Sequence, residues 1–147
     1  MQPSLKPKVF TIEEANKLIP MLEGSFERIN DLNYNLQILS GDLKDLVNTW
    51  GDAVFGEKNP DNSYYKDLLA QRDYVTEELS RRITTVQSLG CIVKDVEKGL
   101  VDFYHKRGEK TILLCWHYGE KKINFWHEID SGFPNRRHVA ELTKVNN

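Results

Sequence analysis

From Thr11 to Trp50 the apolar residues fall on a seven-residue repeat, at Ala15, Leu22, Ile29, Leu36, Leu43 and Trp50. A second set at Leu18, Leu32, Leu39 and Leu46 is broken only by Ser25. Spacing near 3.5 residues keeps one stripe of a helix turned toward a partner, as in coiled coils and helical hairpins. Thr11-Ile12-Glu13-Glu14 supplies the start: the Thr11 hydroxyl accepts from the Glu14 amide while the Glu14 carboxylate accepts from the Thr11 amide. The pattern predicts a helix over 12–50, roughly 57 Å long at 1.5 Å per residue. Pro20 lies too deep for the first turn, removes the bond to Asn16 and predicts a kink there. Gly24 and Gly41 each weaken the helix by about 1 kcal/mol relative to Ala.

Residues 51–62, GDAVFGEKNPDN, read as a loop rich in Gly, Pro, Asp and Asn. A second helix is expected over 63–89, capped by Ser63, with Tyr65, Leu68, Val75, Leu79, Ile83, Val86 and Leu89 on its apolar stripe and Gly90 just past its end. Both stripes are too broad for a single partner, so a sheet or a second copy of the chain must cover the remainder.

After Gly90 the period changes to alternation. Cys91–Val93, Leu100–Phe103, Thr111–His117 and Ile123–Glu128 read as strands separated by Gly99, Gly108 and Gly119. Their connections are too short for parallel crossovers, so the sheet is expected to be antiparallel. The fold class is α+β: a long antiparallel helical hairpin, kinked near Pro20, followed over 91–128 by a small antiparallel meander of three to four strands. Residues 129–147 read as loop and tail, and 1–147 as one domain.

Strand register decides what meets what. A two-residue turn at Gly119-Glu120 pairs Trp116 with Ile123, Leu114 with Phe125 and Ile112 with His127; this is the working expectation. A three-residue turn pairs Trp116 with Asn124 and Ile112 with Glu128, which turns every side chain over. With a turn over Lys106–Glu109, Asp102 and Phe103 sit beside Ile112 and Leu113, and so next to Trp126-His127-Glu128. Arg136 then folds back across the same end after the Ser131-Gly132-Phe133 bend.

Composition narrows the classes. At 147 residues the chain can bury a real core without disulfide or metal staples. A net charge of -2 gives no basic bias toward nucleic acid or anionic lipid. No apolar run reaches membrane-spanning length, and Met1–Thr11 carries charges and prolines in place of a secretory core, so a cytoplasmic protein is expected. Cys91 and Cys115 have neither zinc-knuckle nor disulfide spacing and read as small core residues.

The candidate chemistry gathers at Asp102, His127, Glu128 and Arg136, either as a mutual ion-pair network or as groups prepared for a ligand. In a binding module Trp126 and Phe133 wall a pocket and Arg136 orients an anionic group. In an enzyme His127 is a general acid or base oriented by Asp102, with Glu128 and Arg136 positioning the substrate. A metal-assisted variant uses His127, Glu128 and Asp102 as ligands; otherwise no cofactor is expected. In a purely structural reading the cluster is a salt-bridge lock and the hairpin a scaffold. His127-Glu128 does not open a zinc-protease motif, because the fifth residue is Ser131. Phosphate-loop, dinucleotide and nucleophilic-serine motifs are absent.

The segments FTIEEANKLIPML, LGCIVKDVEKGLVDF and LLCWHYGEKKINFWHEIDSGFPNR occur in this order across nearly the whole chain. In them the sequence resembles the bacterial domain-of-unknown-function family 2203. The resemblance implies the fold outline above and a set of pattern positions that includes Asn16, Asp102, Glu120, His127, Glu128 and Arg136. Some members carry a division-initiation (DivIVA-like) label, which reflects coiled-coil similarity and is not carried over. The resemblance supplies no activity, ligand or partner. The leading expectation is a small cytoplasmic binding module with a polar pocket for a small anionic ligand or partner peptide. It is expected to be a homodimer through its long helices, with no nucleic-acid or membrane partner.

Overall fold

The computed structural model describes residues 8–143. Its elements are α1 (Ile12–Trp50), a 3-10 turn (Gly51–Phe55), α2 (Asn62–Gln87), β1 (Ile92–Asp95), β2 (Leu100–Arg107), β3 (Lys110–His117), β4 (Phe125–His127), a second 3-10 turn (Phe133–Asn135), β5 (Arg137–His138) and α3 (Ala140–Thr143). The chain divides into two compact units: residues up to Glu27 together with those from Ile83 onward, and Arg28–Arg82. It is α+β, two long helices followed by an antiparallel sheet.

In the first unit α1 begins at its capping box, with reciprocal 3.0 Å bonds between the Thr11 and Glu14 backbone amides and each other's side chains. The helix continues through Pro20, which is exposed. Its buried residues are Ala15, Ile19, Leu22 and Phe26. Ile19 and Phe26 therefore replace the expected Leu18 and Ser25, which are half-buried. A helix lying on a sheet follows the 3.6-residue period rather than the 3.5 of a coiled-coil seam. Phe26 packs against Trp116 and Tyr118 at ring separations of 5.7 and 6.2 Å.

In the Arg28–Arg82 unit the heptad positions hold in part: Ile29, Leu32, Leu39 and Leu43 are buried, as are Leu68, Val75 and Leu79 of α2, while Leu36 and Leu46 are half-buried and Trp50 is exposed. Residues 35–39 line one groove with 70–75, and residues 40–48 line another with 65–72, the pairing of an antiparallel hairpin. At the hairpin tip the buried Asn62 amide donates to the Val54 carbonyl at 2.9 Å, and Trp50 Nε1 donates to Asp61 at 2.8 Å. α2 thus starts at Asn62 rather than Ser63, and part of the expected loop winds into a 3-10 turn.

The sheet has five strands in the order β1-β2-β3-β4-β5, one more than expected. The addition is β5, two residues long and too short to show alternation, which pairs with β4 through Phe125↔His138 and Trp126↔Arg137. The β2–β3 turn is also tighter than the Lys106–Glu109 turn expected. Gly108, at φ 63°, and Glu109 alone connect Arg107 to Lys110, and Asp102 comes opposite Cys115. A positive φ at the first of two central residues suits a hairpin of this hand.

Between β3 and β4 the ladder is Leu113↔His127, Leu114↔Trp126 and Cys115↔Phe125. This is the register of the longer turn, and the two-residue Gly119-Glu120 turn does not form. The reason lies in the loop: the Trp116 indole donates to the Glu120 carbonyl at 2.9 Å, and the Ile123 amide donates to Asn16 Oδ1 at 2.6 Å. Ile123 is buried there rather than paired in the ladder. Gly99, at φ 69°, lets β2 begin against Tyr118; a Cβ there would lie 2.5 Å from the Tyr118 Cβ.

Residues directly opposite in a ladder share a sheet face. Val101, Phe103, Leu114, Trp116 and Trp126 therefore occupy the face that receives Phe26 from α1. Leu100, Asp102, Leu113, Cys115 and His127 occupy the other.

Candidate functional site

Three neighbouring strands bring three different ligating groups together on that second face. Asp102 on β2 stands directly opposite Cys115 on β3, and His127 on β4 is one diagonal step away, opposite Leu113. All are buried, and Asp102 Oδ, Cys115 Sγ and a His127 ring nitrogen lie within 4.8 Å of one another. They line a cavity of about 180 Å3 with Lys94, Leu100, Ser131, Gly132 and Phe133.

The imidazole is fully engaged. Its Nδ1 lies 2.8 Å from the Glu128 carbonyl oxygen, an acceptor, so Nδ1 carries a proton and donates. Its Nε2 lies 3.1 Å from Asp102 Oδ2. A neutral ring with Nδ1 protonated would aim a lone pair at a carboxylate, so the pair holds a proton between Nε2 and Oδ2. The hydrogen bond that the Asp102 carboxylate accepts from the ring raises the His127 pKa above its ordinary 6.5, and burial opposes the rise. Burial pushes the Cys115 thiol up to about 12, with the Asp102 charge adding to the rise and the Arg136 charge opposing it. A thiol held neutral in this way is not an activated nucleophile.

Residues after β4 fold back over part of the cavity. The Ser131 amide and hydroxyl both donate to the Glu128 carbonyl, at 3.1 and 3.2 Å, and the Phe133 ring meets His117 at 5.3 Å. Arg136 anchors the return: its Nη1 reaches the two Glu120 carboxylate oxygens at 3.0 and 3.1 Å, and its guanidinium lies over Phe125 and Phe133 at 4.1 and 4.4 Å.

The expected constellation therefore separates. Asp102 and His127 meet, and Phe133 walls the cavity. Glu128 and Arg136 do not pair with each other. The Glu128 carboxylate binds Lys110 at 2.7 Å, which lowers its pKa, and only its backbone carbonyl serves the site. Arg136 is held by Glu120, a residue expected in the Gly119-Glu120 turn. Trp126 faces the opposite side of the sheet, where Arg107 and Arg137 lie over its ring at 5.2 and 4.8 Å. It packs the core and does not wall the cavity. Cys115 and Lys94 were not among the expected site residues. Alternation marks Cys115 as sharing the His127 face only once the longer-turn register is adopted.

A separate groove of about 580 Å3 lies within the helical unit, lined by Asn35, Ile38, Leu39, Ala70, Gln71, Tyr74 and Val75. It is mostly apolar, and Tyr34, Ile38 and Tyr74 are exposed. No helix among the described residues is long and apolar enough to cross a membrane.

The family model described as "Uncharacterized conserved protein (DUF2203)" matches residues 8–139, and the chain belongs to that family. No curated protein and no solved structure matches it.

Proposed function

For this member of an uncharacterised family, we propose a binding module whose site is the cavity over Asp102, Cys115 and His127. The observation that carries the reading is a buried, titratable Asp102–His127 pair on the floor of an open cavity. Burying such a pair is a poor way to gain stability, since desolvation offsets the attraction. Titratable groups with shifted pKa facing a cavity are a signature of function.

The ligand's size follows from the volume. About 180 Å3 holds on the order of six waters at ~30 Å3 each. That is below the roughly 300–1,000 Å3 of sites for drug-sized molecules. A small polar ligand with an anionic group fits, and a peptide end does not. Lys94 at the rim and the His127 imidazolium outnumber the Asp102 carboxylate as charges facing the cavity. With both ring nitrogens of His127 occupied, binding is favoured over acid–base catalysis.

In the same reading the protein is a cytoplasmic homodimer, joined through the exposed apolar face of the helical hairpin around Ile38 and Tyr74. The near-neutral charge supports no nucleic-acid partner.

The test is titration of chelator-treated full chain with inorganic phosphate and with acetate, following the histidine ring signals by NMR. A saturable shift at His127, larger than at the exposed His138, is expected. Ring signals at His127 unmoved by either anion would count against the reading.

A further inference from the structure

We infer that Asp102, Cys115 and His127 form a binding site for one borderline divalent transition-metal ion, of which zinc is the type. The inference rests on the cavity being the functional site and names what it takes.

Geometry comes first. The three donor atoms already lie within 4.8 Å of one another. Ligands at the ~2.0–2.3 Å typical of zinc stand roughly 3.3–3.8 Å apart around a tetrahedral ion, so small side-chain rotations suffice. Adjacent paired strands hold all three, which limits how far the donors can spread.

The surroundings of His127 match the same role. A metal-bound histidine commonly gives its other ring N–H to a carbonyl or carboxylate, which fixes the tautomer. Here Nδ1 donates to the Glu128 carbonyl, leaving Nε2 as the donor atom toward Asp102 and Cys115. An ion bound there takes the place of the proton between Nε2 and Asp102 and of the thiol proton, and both protons leave to solvent.

The donor set selects the metal class. One nitrogen, one thiolate and one carboxylate suit zinc, cobalt(II) or iron(II), and not calcium or magnesium, which prefer all-oxygen sites. Charge agrees: thiolate and carboxylate neutralise a divalent ion, so the buried complex has no net charge. Three protein ligands leave a position for the ion to hold a fourth group from the adjoining cavity, the arrangement of open rather than structural sites. A small anion bound there would meet the metal on one side and Lys94 on the other.

The test uses chelator-stripped full chain with cobalt(II) and with zinc(II), alongside Cys115→Ser, His127→Gln and Cys91→Ser. The expected result is one ion per chain and a thiolate-to-cobalt charge-transfer band. The band persists in Cys91→Ser and vanishes in Cys115→Ser, while affinity falls at least about 100-fold on losing either ligand, beyond the roughly 10–100-fold typical of outer-shell changes. If Cys115→Ser does not fold by circular dichroism, the band in wild type and its survival in Cys91→Ser still identify the thiolate. Folded wild type that binds neither ion, or a band that survives Cys115→Ser or disappears in Cys91→Ser, overturns the assignment. Phosphate titration of a separate stripped sample distinguishes the two readings. A phosphate shift at His127 without ion binding leaves the cavity as the site and removes the metal; no response to phosphate, cobalt or zinc removes both.

Discussion

Asp102 Oδ2 and His127 Nε2 lie 3.1 Å apart, each 3% exposed in its side chain, on strands separated by β3. The contact is diagonal, across Cys115 and Leu113, and the two groups meet only because both point to the same sheet face. Removing one partner leaves the other buried and uncompensated. In metal-free protein, Asp102→Ala or His127→Ala is expected to cost about 3–5 kcal/mol in urea unfolding. Replacing both with apolar residues of similar volume should cost much less than the sum of the single changes. Additive losses in a double-mutant cycle would show that the two groups are not coupled.

Arg136 ties the cover of the cavity to Glu120. Glu120→Gln removes the charge of the ion pair and leaves the guanidinium a neutral amide beside its aromatic neighbours. The cover residues Ser131–Phe133 should then open more often, and Cys115 should react faster with a small thiol reagent. Cys91, buried elsewhere with its thiol bonded to the Val86 carbonyl, serves as the internal reference. Equal acceleration at both cysteines would indicate general unfolding rather than opening of the cover.

Phe26 fixes α1 to the sheet through Trp116 and Tyr118, and its side chain is fully buried. Phe26→Ala is expected to destabilise by about 3–5 kcal/mol, the range for deleting a buried ring. Leu18→Ala, eight positions earlier on the same helix and half-buried, should cost clearly less. A larger loss at Leu18 would restore the heptad seam that the pattern first suggests.

The capping box adds a pH dependence. Hydrogen bonds from Thr11 hold the Glu14 carboxyl below its ordinary 4.5. A carboxyl with a depressed folded-state pKa contributes stability above its unfolded value, and that stability is lost as pH falls through the folded value. Acid titration followed by NMR should therefore place the Glu14 midpoint below 4.5. Thr11→Ala should return it toward the ordinary value and cost about 1 kcal/mol of stability. An unchanged Glu14 midpoint in Thr11→Ala would contradict the cap.

Much of this arrangement is legible in local pattern. Thr11 and Glu14 announce the first helix because capping is encoded within four residues. The meeting of Asp102 with His127 is legible only in the longer-turn register, because the working two-residue turn sets His127 beside Ile112, on the face opposite Asp102. The error at the β2–β3 turn moved the register by two residues and preserved face, and the β3–β4 alternative already stood open. What stayed hidden depends on contacts distant in sequence. Ile123 is pinned by Asn16 of α1, so the Gly119-Glu120 hairpin never closes. Arg136 has a choice of carboxylates, and its fold-back onto Glu120 leaves Glu128 to Lys110. Cys115 reads as a core residue because a buried strand carries apolar residues on both faces, and only its position opposite Asp102 distinguishes it.

The most direct measurement of the cavity's role is a native mass spectrum of the purified full chain with elemental analysis of the same sample, compared with His127→Ala. A bound metal or small molecule present in the wild type and lost from the folded variant is expected. A clean apo mass for both proteins, or a bound species retained by His127→Ala, would contradict the assignment of this site.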